Sequence, residues 1–203
     1  MTTSTATLHY LDIGTLGRGE VVRLFLKDAG INFNDIRYKM NDTWPEASKK
    51  LKDAGLTKTG KVPVLEYKGN ILTQHIPILR YLSRDIGAYE GETNEEKYLV
   101  DAVSDHYVDW RAQWVAQLGT KTDKYKNETA PEYYNVLAQY YAKHNGPFLL
   151  GDKITYADFA VYQSIDNDAK IGTLPAELPA EIERFKVAFA ARPRVAAYLK
   201  ERE

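Results

Sequence analysis

The chain contains no cysteine. That excludes disulfide frameworks, thiolate zinc sites, iron–sulfur clusters and a protein thiol nucleophile. Any sulfur chemistry must therefore arrive on a ligand. Charge of one sign is lacking too: 27 Lys+Arg stand against 28 Asp+Glu, a formal net charge of −1. Proteins that grip nucleic acid or a membrane surface by charge carry a basic excess or a basic stripe, and neither is evident. Histidine is sparse, and His9, His75, His106 and His144 show no HxxxH or HxH spacing, which argues against a metal site. No apolar run approaches a membrane span, and Met1 to Thr7 form no apolar leader core. These absences predict a soluble, cytoplasmic protein with no metal, no nucleic-acid partner and no membrane partner. What is present in quantity is tyrosine, 15 of 203 residues. With 44% hydrophobic and 27% charged residues the composition is that of an ordinary globular chain, long enough for one large domain or two small ones.

Patterning changes near residue 90. From Ala6 to Arg84 short strand-like and helical segments alternate. Leu8-His9-Tyr10-Leu11 reads as a strand closed by Asp12 and Gly14. Val22, Phe25, Leu26 and Ala29 follow helical spacing and stop at Gly30, a C-cap signal. Phe33 to Tyr38 is a second strand. Trp44-Pro45-Glu46 opens a helix, with proline where its missing N–H costs little. Val62 to Tyr67 and Ile71-Leu72, separated by Lys68-Gly69-Asn70, read as a hairpin, and Ile76 to Leu82 as a final helix. The order is βαβαββα, a small mixed sheet with helices.

Beyond Gly91 strand signals vanish. Val103, Tyr107, Trp110, Trp114 and Leu118 mark one helical face. Tyr134, Leu137 and Tyr141 mark a helix begun at Pro131, and Ile182, Phe185 and Phe189 another that ends at Arg192-Pro193, before a last short helix. Thr155 and Asp158 have capping-box spacing, with Ile154 and Phe159 placed as a hydrophobic staple. The expected organisation is α/β plus all-α: a first domain over 1–86, a linker over 87–92, and an all-helical domain over 93–203.

Several residues invite a chemical reading. Pro63 lies inside an apolar strand run, where proline marks an edge strand or a cis bond that leaves the Val62 backbone facing outward for an extended, peptide-like ligand. Gln74 and His75 precede a helix, whose start attracts carboxylates and phosphates; capping is the commoner role of such residues. Asp101, Asp105 and Asp109 recur every four residues as an acidic stripe, either a solvated face or a surface for a cationic partner.

In combination these motifs are more specific. Leu8-His-Tyr10, Trp44-Pro-Glu, Lys61-Val-Pro-Val-Leu-Glu66, Gln74-x-x-x-Ile78-x-Arg80-Tyr-Leu, Val100-Asp-Ala-Val-Ser-Asp105 and the Thr155-x-x-Asp158 box resemble the cytosolic glutathione transferases, closest to their sigma-like, tyrosine-type members. The resemblance spans essentially the whole chain and implies a thioredoxin-like domain followed by a helical one. It further implies that Tyr10 donates its hydroxyl to the glutathione sulfur and stabilises the thiolate, which suits a chain without cysteine. Val62, beside a cis Pro63, would pair with the cysteinyl part. Gln74 and His75 would hold the γ-glutamyl carboxylate, Trp44 with Lys49 or Lys50 the glycyl end, and Arg18 would line the site. Asp109 of a homodimer's second subunit, or Asp105, would approach the γ-glutamyl amine. A hydrophobic electrophile would meet aromatic walls from Tyr107, Trp110 and Trp114; the alternative is core packing on the long helix, expected of at least one of the three. The implied activity is conjugation of glutathione to electrophiles; isomerase or peroxidase chemistry on the same site, or binding without turnover, are the alternatives. His75 stands where the family pattern has serine, and adds an imidazole to the N–H that serine would offer.

Overall fold

The computed structural model describes residues 6–202. It divides into two compact units, residues 6–82 with 193–202, and residues 83–192.

In the first unit the element order is β1 (Ala6–Leu11), α1 (Arg18–Ala29), β2 (Phe33–Tyr38), α2 (Trp44–Asp53), β3 (Val64–Tyr67), β4 (Asn70–Thr73) and α3 (His75–Ile86), the last running past the division. The strands lie in the order β2-β1-β3-β4. β1 runs parallel to β2, joined through α1, and antiparallel to β3. Lys68 and Gly69 both take positive φ, 49° and 79°, which makes the β3–β4 loop a two-residue primed turn matched to strand twist. Asn70, expected in the loop, therefore belongs to β4 and pairs with Tyr67. α1 ends where expected: Gly30 is left-handed, and the Ile31 N–H reaches back to the Leu26 carbonyl at 2.9 Å. Alternation places Ala6, Leu8 and Tyr10 on one face of β1 and Thr7 and His9 on the other. Leu8, Val22, Phe25, Leu26, Val64, Ile78 and Leu79 build the core.

α8 (Pro193–Glu201) differs from expectation, because its contacts lie with the first unit rather than with the helical one. The reason is a buried polar cluster. Glu20 in the first turn of α1 accepts from Arg202 at 2.8 Å, Tyr198 at 3.1 Å and Arg23 at 3.3 Å. Arg194 adds a bond to the Asp28 carbonyl, and Lys27 pairs with Glu201. Burial raises the Glu20 carboxyl above its usual range, against the charges of Arg202 and Arg23.

The second unit contains α4 (Asn94–Ala116), a π-helical turn (Tyr125–Thr129), α5 (Ala130–Tyr141), α6 (Tyr156–Ile171) and α7 (Ala180–Ala190). Thr93 and Glu96 form a capping box at the start of α4. Thr155 and Asp158 form the one anticipated at α6, but Asp158 does more than cap. Fully buried, it also accepts from the Tyr141 hydroxyl at 2.7 Å and the Leu149 N–H at 3.1 Å. Asp168 is a second buried hub, taking hydroxyl bonds from Thr173 at 2.6 Å, Tyr134 at 2.7 Å and Tyr125 at 3.1 Å. Three of the unit's tyrosines, Tyr125, Tyr134 and Tyr141, thus help satisfy two buried carboxylates.

Candidate active site

Tyr10 sits one residue from the end of β1, with its ring packed against the start of α1. Two glycines make room for it. A Cβ on Gly19 would lie 2.2 Å from Tyr10 Cγ, and one on Gly17 would lie 2.5 Å from the Tyr10 hydroxyl. The phenolic oxygen accepts the Arg18 backbone N–H at 2.9 Å. That N–H belongs to the first turn of α1, where donors have no intrahelical partner and carry the positive end of the helix dipole. An oxygen already accepting from a backbone donor has its own hydrogen left to give, and it is polarised toward giving it.

Beneath the ring, the Arg23 guanidinium carbon lies 5.7 Å from the Tyr10 centroid. Arg23 is almost wholly buried and held by both oxygens of Asp35, at 2.9 and 3.1 Å, as well as by Glu20. Burial works against the cation, but its bonds to Asp35 and the charges of Asp35 and Glu20 outweigh it, so its pKa rises. Neither Gly19 nor Arg23 stood out in the sequence, although the Gly17-x-Gly19 spacing ahead of an apolar helix was a readable sign of close backbone approach.

The Val62-Pro63 peptide is cis, and the β3 ladder begins only at Val64, so the Val62 backbone lies outside it. Gln74 is exposed with φ of 68°, and its carbonyl accepts the first bond of α3, from the Ile78 N–H at 2.9 Å. His75 opens α3 with its side chain only 4% exposed. This corrects the picture of an imidazole offered to a ligand: at His75 the group suited to that task is the N–H of the helix start. Trp44, the first residue of α2, is half-buried. Lys49 and Lys50 are engaged on their own helix, with Asp53 at 2.6 Å and Glu46 at 2.7 Å. Both pairs are exposed and worth little, so either lysine is free to exchange partners at small cost.

In the helical unit Asp105 and Asp109 are exposed on α4, while Asp101 accepts from the Tyr156 hydroxyl. The expected aromatic walls need correction. Tyr107 and Trp114 are fully buried and Trp110 nearly so, packed as core because they fall on the inward stripe of α4. Trp110 stacks on Tyr133 at 4.7 Å, and their edges, with His106, Asp109 and Glu132, line a cleft of about 460 Å³. Burial lowers the His106 pKa, against a backbone bond at Tyr133 and the charge of Asp109. The exposed apolar residues in the second half of α4 are instead Val108 and Val115, with Leu118 just beyond its end. Among the described residues no cluster of acidic or histidine side chains could hold a metal ion, and no helix is long and apolar enough to cross a membrane.

A βαβαββα order with a cis proline before its third strand defines a thioredoxin-like unit, here with a tyrosine of the first strand packed against the first helix start, followed in this chain by an all-helical unit. Residues 6–84 match the model of the glutathione S-transferase N-terminal domain, and residues 108–202 match that of the C-terminal domain. The chain is 33% identical to glutathione S-transferase Mu 1 of Oryctolagus cuniculus, over 96% of this chain and 90% of that one. It is 29% identical to glutathione S-transferase P 10 of Caenorhabditis elegans, over 97% and 91%. Among solved structures, the Pi-class glutathione S-transferase of Onchocerca volvulus superposes with a TM-score of 0.84 at 25% identity, covering 98% of this chain and 93% of that one. The chain belongs to the glutathione S-transferase family, whose members are transferases with glutathione as cosubstrate.

Proposed function

We propose that this chain conjugates the glutathione thiolate to hydrophobic electrophiles, with Tyr10 as the catalytic residue. The observation that carries the proposal is the 2.9 Å bond from the Arg18 N–H to the Tyr10 oxygen. It leaves the phenolic hydrogen to be donated to the glutathione sulfur, and a hydrogen bond to the charged form lowers the pKa of a thiol. The thiolate, not the thiol, is the nucleophile. Its sulfur attacks the electrophilic carbon, the new C–S bond forms, and the leaving group departs with the electron pair. Where the electrophile is an activated alkene, the π pair of the alkene shifts to its far carbon and activating group as the C–S bond forms, and a solvent proton on that carbon completes the adduct.

Around that centre Val62 pairs through its backbone with the cysteinyl part, beside Pro63. Gln74 and the His75 N–H hold the γ-glutamyl carboxylate at the start of α3, and Trp44 bounds the glycyl end with Lys49 or Lys50 released from its helical partner. Arg18 lines the site through its backbone. Asp109, or Asp105, of a second copy in a homodimer approaches the γ-glutamyl amine. The closest motif set remains that of the sigma-like, tyrosine-type enzymes.

Retention on immobilised glutathione, run beside turnover of a chlorodinitrobenzene, tests the proposal. Retention with turnover is expected. Retention without turnover would make this a binding protein on a transferase fold, and failure of both would overturn the glutathione reading.

A further inference from the structure

His9 is buried beside Tyr10 in β1, yet it points to the opposite face of the sheet and has no part in the chemistry described above. Its imidazole bridges three strands. Nε2 lies 2.8 Å from Glu66 Oε1 on β3, and Nδ1 lies 2.8 Å from the Tyr38 hydroxyl at the end of β2. A carboxylate only accepts, so Nε2 carries a hydrogen and Nδ1 is left to the Tyr38 hydroxyl. The His9 and Tyr38 rings also stack, with centroids 6.0 Å apart and planes at 16°. Beyond Tyr38 stands Trp44, its ring centroid 6.0 Å away and tilted by 57°.

We infer that His9 is a positioning residue for the glycyl end of glutathione, acting through Tyr38 on Trp44. The inference rests on the reading of Trp44 given above. Tyr38 ends its strand and is half-buried, so only its contacts hold the ring in place. Glu66 fixes the imidazole, the imidazole fixes the Tyr38 hydroxyl and ring, and the ring supports the indole at the head of α2. Tyr10 lies across the sheet from this chain of contacts. Losing it should weaken the hold on the glycyl end and leave the thiolate untouched.

The experiment compares glutathione with γ-glutamylcysteine, the same peptide without its glycyl residue, on the parent, His9→Phe, Tyr38→Phe, His9→Gln and Trp44→Ala proteins. His9→Phe keeps a ring of similar size and removes both hydrogen bonds. Its KM for glutathione should rise about three- to tenfold, the scale of the one neutral hydrogen bond that holds the Tyr38 hydroxyl, while kcat and the pKa of the bound thiol stay at parent values. Affinity for γ-glutamylcysteine should be unchanged. Tyr38→Phe keeps the whole ring and should move in the same direction, which keeps the test open if His9→Phe folds poorly. His9→Gln, an amide able to donate and accept, should recover part of the loss.

Equal losses for the two peptides, or a fall in kcat, would make His9 a sheet-stabilising residue and overturn the inference. Unchanged KM in both His9→Phe and Tyr38→Phe would overturn it as well. Trp44→Ala separates the two levels: if that variant keeps the parent's preference for glutathione over the dipeptide, the placement of Trp44 is what fails. If it loses the preference while His9→Phe retains it, only the role of His9 fails.

Discussion

Replacing Asp158 with alanine removes one carboxylate and strands the donors that converge on it. Oδ1 takes the Tyr141 hydroxyl at 2.7 Å and the Leu149 N–H at 3.1 Å; Oδ2 takes the Thr155 N–H at 2.6 Å and its hydroxyl at 2.8 Å. Asp158 and Thr155 are both fully buried, so water does not replace the lost acceptor. The two backbone N–H groups and the Tyr141 hydroxyl each lose their partner, at about 1–3 kcal/mol for a buried orphan. Relief from holding a desolvated carboxylate offsets part of this, leaving about 2–4 kcal/mol. An ordinary helix cap is worth about 0.5–2 kcal/mol, and Thr155→Ala, which removes one hydroxyl and leaves Asp158 its other three donors, should fall in that range. Urea unfolding followed by tryptophan fluorescence compares the two variants, with equal m-values licensing the comparison of midpoints. Asp158→Ala should lose at least about 1 kcal/mol more than Thr155→Ala. Equal losses would mean that Asp158 only caps α6, and that its bonds to Tyr141 and Leu149 contribute nothing net.

Gly19→Ala should reduce kcat/KM for glutathione conjugation by at least about tenfold, because the added methyl occupies the place of the Tyr10 ring. Alanine is the better helix former by about 1 kcal/mol, so parent-level activity with higher stability would refute the close packing of Tyr10 on α1. Asp168 has its pKa raised by burial, against bonds from Thr173, Tyr134 and Tyr125. A carboxyl raised in the native state binds its proton there first, so the stability of the parent relative to Asp168→Asn should grow as pH falls through the folded-state pKa. That gain should level off below the unfolded value of about 3.9. A difference that shrinks with acidification would show that the three hydroxyl bonds outweigh desolvation.

What could be read from the residues was whatever local chemistry dictates. Gly30 and the Pro45 helix start stood where cap and first-turn rules put them, and the Lys68-Gly69 turn was off by only one residue. The Thr155–Asp158 box was legible from spacing, but its partners Tyr141 and Leu149 were not, since nothing local says which distant donors converge on a carboxylate. The return of α8 to the first unit has the same cause: Glu20 looks like an ordinary helix-start acid until Tyr198 and Arg202 close over it, 178 and 182 residues away. On α4 the 3.6-residue period identified the stripe of Tyr107, Trp110 and Trp114 but left wall and core both open, and the core packing expected of at least one holds for all three, because aromatic residues recurring on one face bury themselves first. Tyr10 was legible as a site residue only through the family resemblance. The glycines that seat it, and the backbone donor that orients it, required the structure.

The proposed chemistry depends on one hydroxyl, and the most direct measurement is a pH titration of thiolate absorbance with glutathione bound to the parent and to Tyr10→Phe. The phenylalanine ring fills the same space between Gly17, Gly19 and Arg23, so fold and glutathione affinity should be retained. In the parent the bound thiol should titrate below free glutathione. In Tyr10→Phe it should shift upward toward the free value, with conjugation at neutral pH falling in step. A bound-thiol pKa that stays at the parent value in Tyr10→Phe would contradict the assignment and place the stabilising donor elsewhere.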